Sequence, residues 1–256
     1  MSNEAATGKR IVILGALSAI AEAAARIWAR EPGAHLVLVG RSADRLESVA
    51  ANLRALGARA ETFPVDLDTA DPASVFPQLV APLGGVDIVL LAYGTLGEQK
   101  TCEQDLAAAA RLMHTNFTSA AGWCLAAANV LEAQGKGVLC VIGSVAGDRG
   151  RASNYVYGAA KGGLGILVQG LAHRLSKKGA RAVLVKPGFV DTPMTAHIAG
   201  RGGLLWSSPD RVARVIVKAA EPGARVPVAV YAPGFWRTIM RIIRNVPERV
   251  FHKTSL

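Results

Sequence analysis

Residues 9–21 read KRIVILGALSAIA: a basic pair, an unbroken apolar run from Ile11 to Leu14, a glycine, then small residues with helical spacing. The apolar run suits a strand buried on both faces. A strand that turns through a glycine into a helix is the opening of a βαβ unit. The same unit recurs along the chain. HLVLVG (35–40), ARAETFPVD (58–66), VDIVLLAYG (86–94), GVLCVIGS (137–144), ARAVLVKPG (180–188) and VPVAVYAP (226–233) read as further strands bounded by Gly or Pro. The segments near 18–30, 43–56, 72–82, 104–133, 155–177 and 208–220 are rich in alanine and leucine at helical spacing. Strict alternation implies parallel strands with right-handed crossovers. It predicts an α/β fold with a Rossmann-type doubly wound sheet of about seven strands. No linker, repeat or low-complexity tract divides the chain, so residues 1–233 are expected to form one body, followed by a tail at 234–256.

Composition agrees with a large buried core. The chain has 256 residues, 51% of them hydrophobic but only 5% aromatic, which suits close packing of small side chains on a sheet. Cys102, Cys124 and Cys140 are far apart and form no CxxC or Cys/His cluster, so a reducing compartment, buried thiols and no metal site are expected. The first ten residues lack a signal-type apolar stretch, and no uncharged apolar run reaches bilayer length. A cytoplasmic protein, or one peripheral to the inner face of the membrane, is expected. The net charge of +10 favours acidic partners: anionic lipid, a phosphorylated substrate or an acidic carrier protein. No basic-aromatic stripe or RNA-binding signature points to nucleic acid.

In doubly wound sheets ligands bind beyond the carboxyl ends of the strands. At the first such end, Gly15, Leu17, Ser18, Ala19 and Ile20 form a small-residue turn into a helix, where backbone amides can approach a pyrophosphate. Ala19 and Ala21 stand where further glycines would be expected, so a looser approach or an ordinary junction also fits. Arg41 follows the second strand where an acid would grip a ribose 2′-hydroxyl, and an arginine there can pair with a 2′-phosphate. That favours NADP(H) over NAD(H), although a solvated charge would look the same. Asp66, followed by Leu67, ends the third strand, to accept from an adenine amino group or to cap the helix beginning after Thr69. Ala92, Tyr93 and Gly94 end the fourth, leaving room for adenosine or making a plain turn.

Tyr157 and Lys161 stand four apart on a helix, one turn apart on one face, with Ser144 upstream. A lysine beside a phenol is expected to lower the phenol's pKa and make it a proton donor to a developing alkoxide. Ser144 supplies a second donor to the same oxygen. Tyr155 lies six residues before Lys161 and is expected on a different face.

Together these residues resemble the short-chain dehydrogenase/reductase family across nearly the whole chain. Gly15 to Ala21, Asp66, Ala92-Tyr93-Gly94, Asn116, Ser144, Tyr157-x-x-x-Lys161 and Pro187-Gly188 through Thr192 fall in the family's order and separations. The resemblance implies that Tyr157 protonates the carbonyl oxygen, Ser144 hydrogen-bonds it, Lys161 holds the nicotinamide ribose and Asn116 anchors a water. It also implies that Pro187, Gly188, backbone of Val190 and the hydroxyl of Thr192 contact the nicotinamide. Residues 193–207 resemble a substrate lid. A homodimer or homotetramer through the helices around 104–133 and 155–177 is a family expectation.

AYGTLGE, IGSVAGDRGRASNYVYGAAKGGL, VKPGFVDTPMTAHI and the tail are similar to a branch of the family that reduces the 2-keto group of a polyprenyl-phosphate-linked pentose. The resemblance implies an amphiphilic ketone substrate and is compatible with a partner oxidase. Arg149 and Arg151 are placed to meet a substrate phosphate, or are ordinary loop charges. In the tail, Arg237, Arg241 and Arg244 share one helical face, opposite Phe235, Trp236, Ile239, Met240, Ile243 and Val246. Such a helix suits a membrane interface, and equally a body on which its apolar side packs. Two rivals stay open: a 3-oxoacyl reductase served by an acidic carrier protein, and a non-catalytic NADP-binding sensor or scaffold.

Overall fold

Seven parallel strands carry the molecule: β1 (Arg10–Leu14), β2 (His35–Gly40), β3 (Arg59–Pro64), β4 (Ile88–Leu91), β5 (Val138–Ile142), β6 (Arg181–Pro187) and, after a two-residue pair β7 (Phe189–Val190) and β8 (Trp206–Ser207), β9 (Ala229–Ala232). This computed structural model describes residues 8–198 and 202–254. The seven are ordered β3-β2-β1-β4-β5-β6-β9, each element pair parallel. They are the seven runs read from the sequence. Alternation within each strand feeds two cores: Ile11 and Ile13 pack on one side of the sheet, Val12 and Leu14 on the other. Because both faces are covered, the strands read as continuous apolar runs.

Helices α1 (Ala19–Trp28), α2 (Ala43–Ala55) and α8 (Pro209–Ala220) cover the first face. On the second lie α3 (Pro72–Val80), α6 (Ala120–Gln134) and α7 (Tyr155–Ser176). The segment expected as one helix over 104–133 is instead α4 (Gln99–Gln104), α5 (Leu106–Met113), a π-helical turn at His114–Ser119, and α6. Asp105 makes the break: its backbone is extended, and its carboxylate caps α5 by accepting from the Ala107 amide at 2.8 Å. Asp71, not Asp66, caps α3, accepting from Ala73 and Ser74.

The chain runs outward from β1 to β3 and then returns to place β4 on β1's other side, so a crevice opens where strand order reverses. The β1–β4 register sets Leu14 beside Leu91, and the residues that follow each of them border the crevice.

Beyond β9, α9 (Trp236–Asn245) and α10 (Glu248–Phe251) form the tail. Its apolar face is turned inward. Trp236 and Met240 are buried in a third cluster with Val145, against which Phe189, Tyr231, Phe235, Ile239 and Ile243 pack. That face is therefore spent on the body and is not free to enter a bilayer, while Arg237, Arg241 and Arg244 remain exposed. Among the described residues no helix is long and apolar enough to cross a membrane. All three cysteines are buried and free.

Candidate active site

The crevice begins at Gly15, whose φ of 87° is left-handed and whose absent Cβ would lie 2.6 Å from that of Tyr93. Its amide and that of Ala16 both donate to the Val39 carbonyl at 2.9 Å, pinning the turn to the end of β2. Ala19 and Ala21 lie inside α1, and no described residue other than glycine has positive φ. Alanine therefore costs nothing in backbone strain there. Ser18 opens α1 from an extended backbone without a side-chain capping bond, so the first amides of the helix face the crevice uncapped by the chain itself. These features fit the pyrophosphate of a dinucleotide.

Leu17 packs near Gly40 and Leu46 beside this turn. Arg41 is exposed at the end of β2 and makes no side-chain hydrogen bond among the described residues. Asp66 closes a local turn, its Oδ1 accepting from the Asp68 amide at 3.0 Å. Leu67 is buried, and its carbonyl is taken by Ser119 Oγ at 2.7 Å and Trp123 Nε1 at 2.8 Å. Tyr93 turns its phenol inward to donate to Ser119 at 2.6 Å, so β4 is tied to the π-helical turn. The side chain of Tyr93 is architectural. Gly94 permits a close approach: a Cβ there would lie 2.6 Å from Asn116 Oδ1 and 3.3 Å from Lys161 Nζ.

A cavity of about 510 Å³ continues from Ala92–Gly94 past the catalytic candidates. Asn116, Ser144, Tyr157 and Lys161 all line it, as do Pro187, Gly188, Val190 and Thr192. Gly15, Leu17, Arg41, Asp66 and Leu67 lie outside this cavity. Asn116 is buried in the π-helical turn, and its amide is committed to backbone: Oδ1 accepts from Thr95 at 3.2 Å, and Nδ2 donates to the carbonyls of Thr95 (2.8 Å) and Leu112 (3.0 Å). It thus fixes the loop that carries Gly94.

Ser144 heads the turn after β5, its Oγ accepting from the Ala146 amide at 3.0 Å. Its hydroxyl also pairs with Tyr157, and that bond favours the phenolate. Lys161 Nζ sits 5.9 Å from the centre of the Tyr157 ring, one helical turn on, and donates to the Ile142 carbonyl at 3.4 Å. Burial drives the titration of both groups. It raises the Tyr157 pKa, against the smaller opposing pull of Ser144, and lowers that of Lys161 to about 8. The sequence-based expectation of a lowered phenol pKa is corrected: desolvation raises it, and the Ser144 hydrogen bond opposes that rise only in part. Tyr157 is consequently held as the protonated donor. Tyr155 is exposed and does not line the cavity.

The loop after β6 is braced from two sides. Phe189 stacks on Trp206 with ring centres 5.3 Å apart and meets the edge of Trp236 at 5.8 Å. Thr195 Oγ1 donates to the Val190 carbonyl at 2.5 Å, tying the turn at Pro193–Thr195 back to β7. Thr192 lies 3.3 Å from Thr195 through their hydroxyls. Of the expected lid, Met194, Thr195, His197 and Ile198 border the cavity, and residues 199–201 lie outside the described residues.

Arg149 and Arg151 part company. Arg149 donates to the carbonyls of Ile243 and Val246 at the end of α9 and lies 3.8 Å from the Phe251 ring centre. It clamps the tail and cannot serve a substrate phosphate, whereas Arg151 lines the cavity. Asn154 and Gln99 border the cavity and carried no distinguishing signal in the sequence, while Trp236 of the tail packs against Gly188 from outside the cavity lining.

Residues 9–201 match the short chain dehydrogenase family. An uncharacterized oxidoreductase of Streptomyces coelicolor is 38% identical over 251 residues, covering 96% of this chain and 95% of that protein. An uncharacterized oxidoreductase of Mycobacterium tuberculosis is 37% identical over 246 residues, covering 95% and 96%. A solved short chain dehydrogenase/reductase family protein superposes with a TM-score of 0.75 at 28% identity, covering 88% of this chain and 95% of the other.

Proposed function

The chain belongs to the short-chain dehydrogenase family, and from that premise we propose that it is an NADPH-dependent reductase converting a ketone to a secondary alcohol. The observation that carries this reading is the convergence of Ser144, Tyr157 and Lys161 in one cavity, with the phenol kept protonated by burial. A nicotinamide cofactor, when bound, supplies hydride. Gly15 and the start of α1 would hold its pyrophosphate, Arg41 its 2′-phosphate, and Lys161 its ribose. Ser144 and Tyr157 donate hydrogen bonds to the substrate carbonyl oxygen as negative charge grows there, and Tyr157 transfers its proton to that oxygen. Donors placed in advance stabilise that charge without reorganisation.

For the substrate we propose an amphiphilic ketone of the kind reduced by decaprenylphosphoryl-2-keto-erythro-pentose reductase, a keto pentose on a polyprenyl phosphate. Its support is the likeness of the quoted stretches and the exposed Met194 on the cavity wall. An oxidase would supply such a ketone. The basic outer face of α9 would meet an anionic membrane surface electrostatically, since its apolar face is occupied. Pairing of two copies through α6 and α7 is supported by exposed Leu125 and Ile166. A 3-oxoacyl reductase served by an acidic carrier is the second reading, favoured by the charge of +10.

The test is Tyr157→Phe. Reduction of ketones with NADPH should fall by about a hundredfold or more, while NADPH binding, followed by nicotinamide fluorescence, persists. Full activity in the variant would remove Tyr157 as the acid. Failure of the wild type to bind either nicotinamide would favour a scaffold without catalysis.

A further inference from the structure

Residues 151–154 make the turn that leads into α7, closed by the Asn154 amide donating to the Arg151 carbonyl at 3.1 Å. Both side chains line the cavity. Arg151 Nε and Asn154 Oδ1 are each cut off from solvent, and neither has a hydrogen-bond partner among the described residues. Unpaired buried polar atoms are rare in folded proteins, so two in one turn at a cavity wall call for a ligand that pairs them.

Arg151 also lacks a committed counter-charge. The carboxylate that acts on it, Asp148, is held by Lys186 and by the Tyr231 hydroxyl at 2.7 Å. Burial accordingly dominates at Arg151 and lowers its pKa, with Asp148 pulling less strongly the other way. Two residues earlier, Arg149 meets the same need inside the protein, through the carbonyls that end α9. Arg151 has only the cavity. Glu98, the one carboxylate among the described lining residues, is exposed and accepts from Thr101 at 3.0 Å.

We propose that Arg151 and Asn154 form a substrate subsite in which the guanidinium takes an oxyanionic group, phosphate or carboxylate, and Asn154 Oδ1 accepts from a hydroxyl beside it. The ketone reduced in this cavity is then an anionic, hydroxylated one. This rests on the reductase reading above, and it names Arg151 as the residue that selects among ketones. The guanidinium fork suits an oxyanion better than a neutral oxygen, and a charge-assisted bond in a desolvated site discriminates strongly.

The experiment compares the wild type with Arg151→Met and Arg151→Gln, using NADPH and three probes of like skeleton. These are para-acetylphenyl phosphate, para-acetylbenzoate and the neutral para-methoxyacetophenone. Binding of each to NADPH-saturated protein is read in parallel by thermal shift, and circular dichroism verifies folding. The wild type should prefer an oxyanionic probe over the neutral one by about tenfold or more in kcat/KM. Both variants should bring that ratio close to one and lose the thermal shift given by the anion. Whichever anion wins separates phosphate from carboxylate. A ratio that both variants leave unchanged overturns the subsite while the reductase reading stands. If no probe consumes NADPH, the reductase reading fails by itself and binding decides Arg151: a shift that survives in both variants, or none in the wild type, overturns the subsite.

Discussion

Gly188→Ala tests whether the tail and the loop after β6 are one packed unit. A Cβ at this position would lie 1.9 Å from both Cε2 and Nε1 of Trp236. Carbon contacts settle at roughly 3.5–4.0 Å, so the indole would have to retreat by roughly 1.5–2 Å. It has nowhere to go, being 3% exposed and set edge-on to Phe189. The backbone at Gly188 is not left-handed, so alanine adds a collision and no torsional strain. Overpacking of this kind costs about 1–3 kcal/mol, and Trp236→Ala, which empties the same space, costs about 3–5 kcal/mol. In the double variant the new methyl meets nothing, so the cost of Gly188→Ala should vanish. The two changes should therefore couple by about 1–3 kcal/mol, with the double variant more stable than additivity allows. Urea unfolding of the four proteins measures the coupling, and the NADPH KM of each reports whether the loop has moved. Additive costs, or a Gly188→Ala protein as stable as the parent, would refute the contact and with it the role of the tail as a brace.

Two further outcomes are expected. Arg41→Asp should weaken NADPH by about tenfold or more while changing NADH little, because the lost bond is to a 2′-phosphate that only NADPH carries; equal loss of both in a fluorescence titration would remove Arg41 from cofactor choice. Lys161 ties stability to pH. Its pKa falls from 10.5 to about 8 on folding, so between those values the unfolded chain holds a proton that the folded chain has released. Stability from this group must therefore rise with pH across that window, by on the order of 3 kcal/mol in full. The wild type should gain on Lys161→Met as pH rises from neutrality toward 10, and a difference that stays flat in urea melts would contradict the buried cation.

Much of this molecule is legible one segment at a time. Each strand is a short apolar run because a sheet covered on both faces asks for apolar residues at every position. Ile11–Leu14 therefore declares itself without reference to anything distant. Gly15 is readable for a related reason, since a left-handed turn between strand and helix leaves few alternatives. Tyr157 and Lys161 are brought together by the helix repeat alone, and Ser144 by the strand end that precedes it. The break at Asp105 was readable too: an aspartate before an alanine-rich run is a helix cap, although helical spacing on both sides concealed it.

What the local pattern could not supply is the identity of the neighbour across space. The apolar stripe of residues 235–246 was plain, but periodicity shows which side of a helix is apolar and not what covers it. Val145, Phe189 and Tyr231, brought together from three separate parts of the chain, cover it. Arg149 and Arg151 are indistinguishable as two arginines around a glycine. Only the position of α9 turns the first into a clamp and leaves the second facing the cavity. The Tyr157 pKa follows the same logic. The spacing identified a lysine that favours the phenolate, but the depth of burial decides the sign, because desolvation is set by everything packed around the group. Sequence alone determined the seven strands, their parallel sense and the types of residue at the candidate site, since these depend on local sterics and repeat. The tertiary structure decided which charges are spent, which face is covered and which proton is held, since these depend on contacts between residues far apart in the chain.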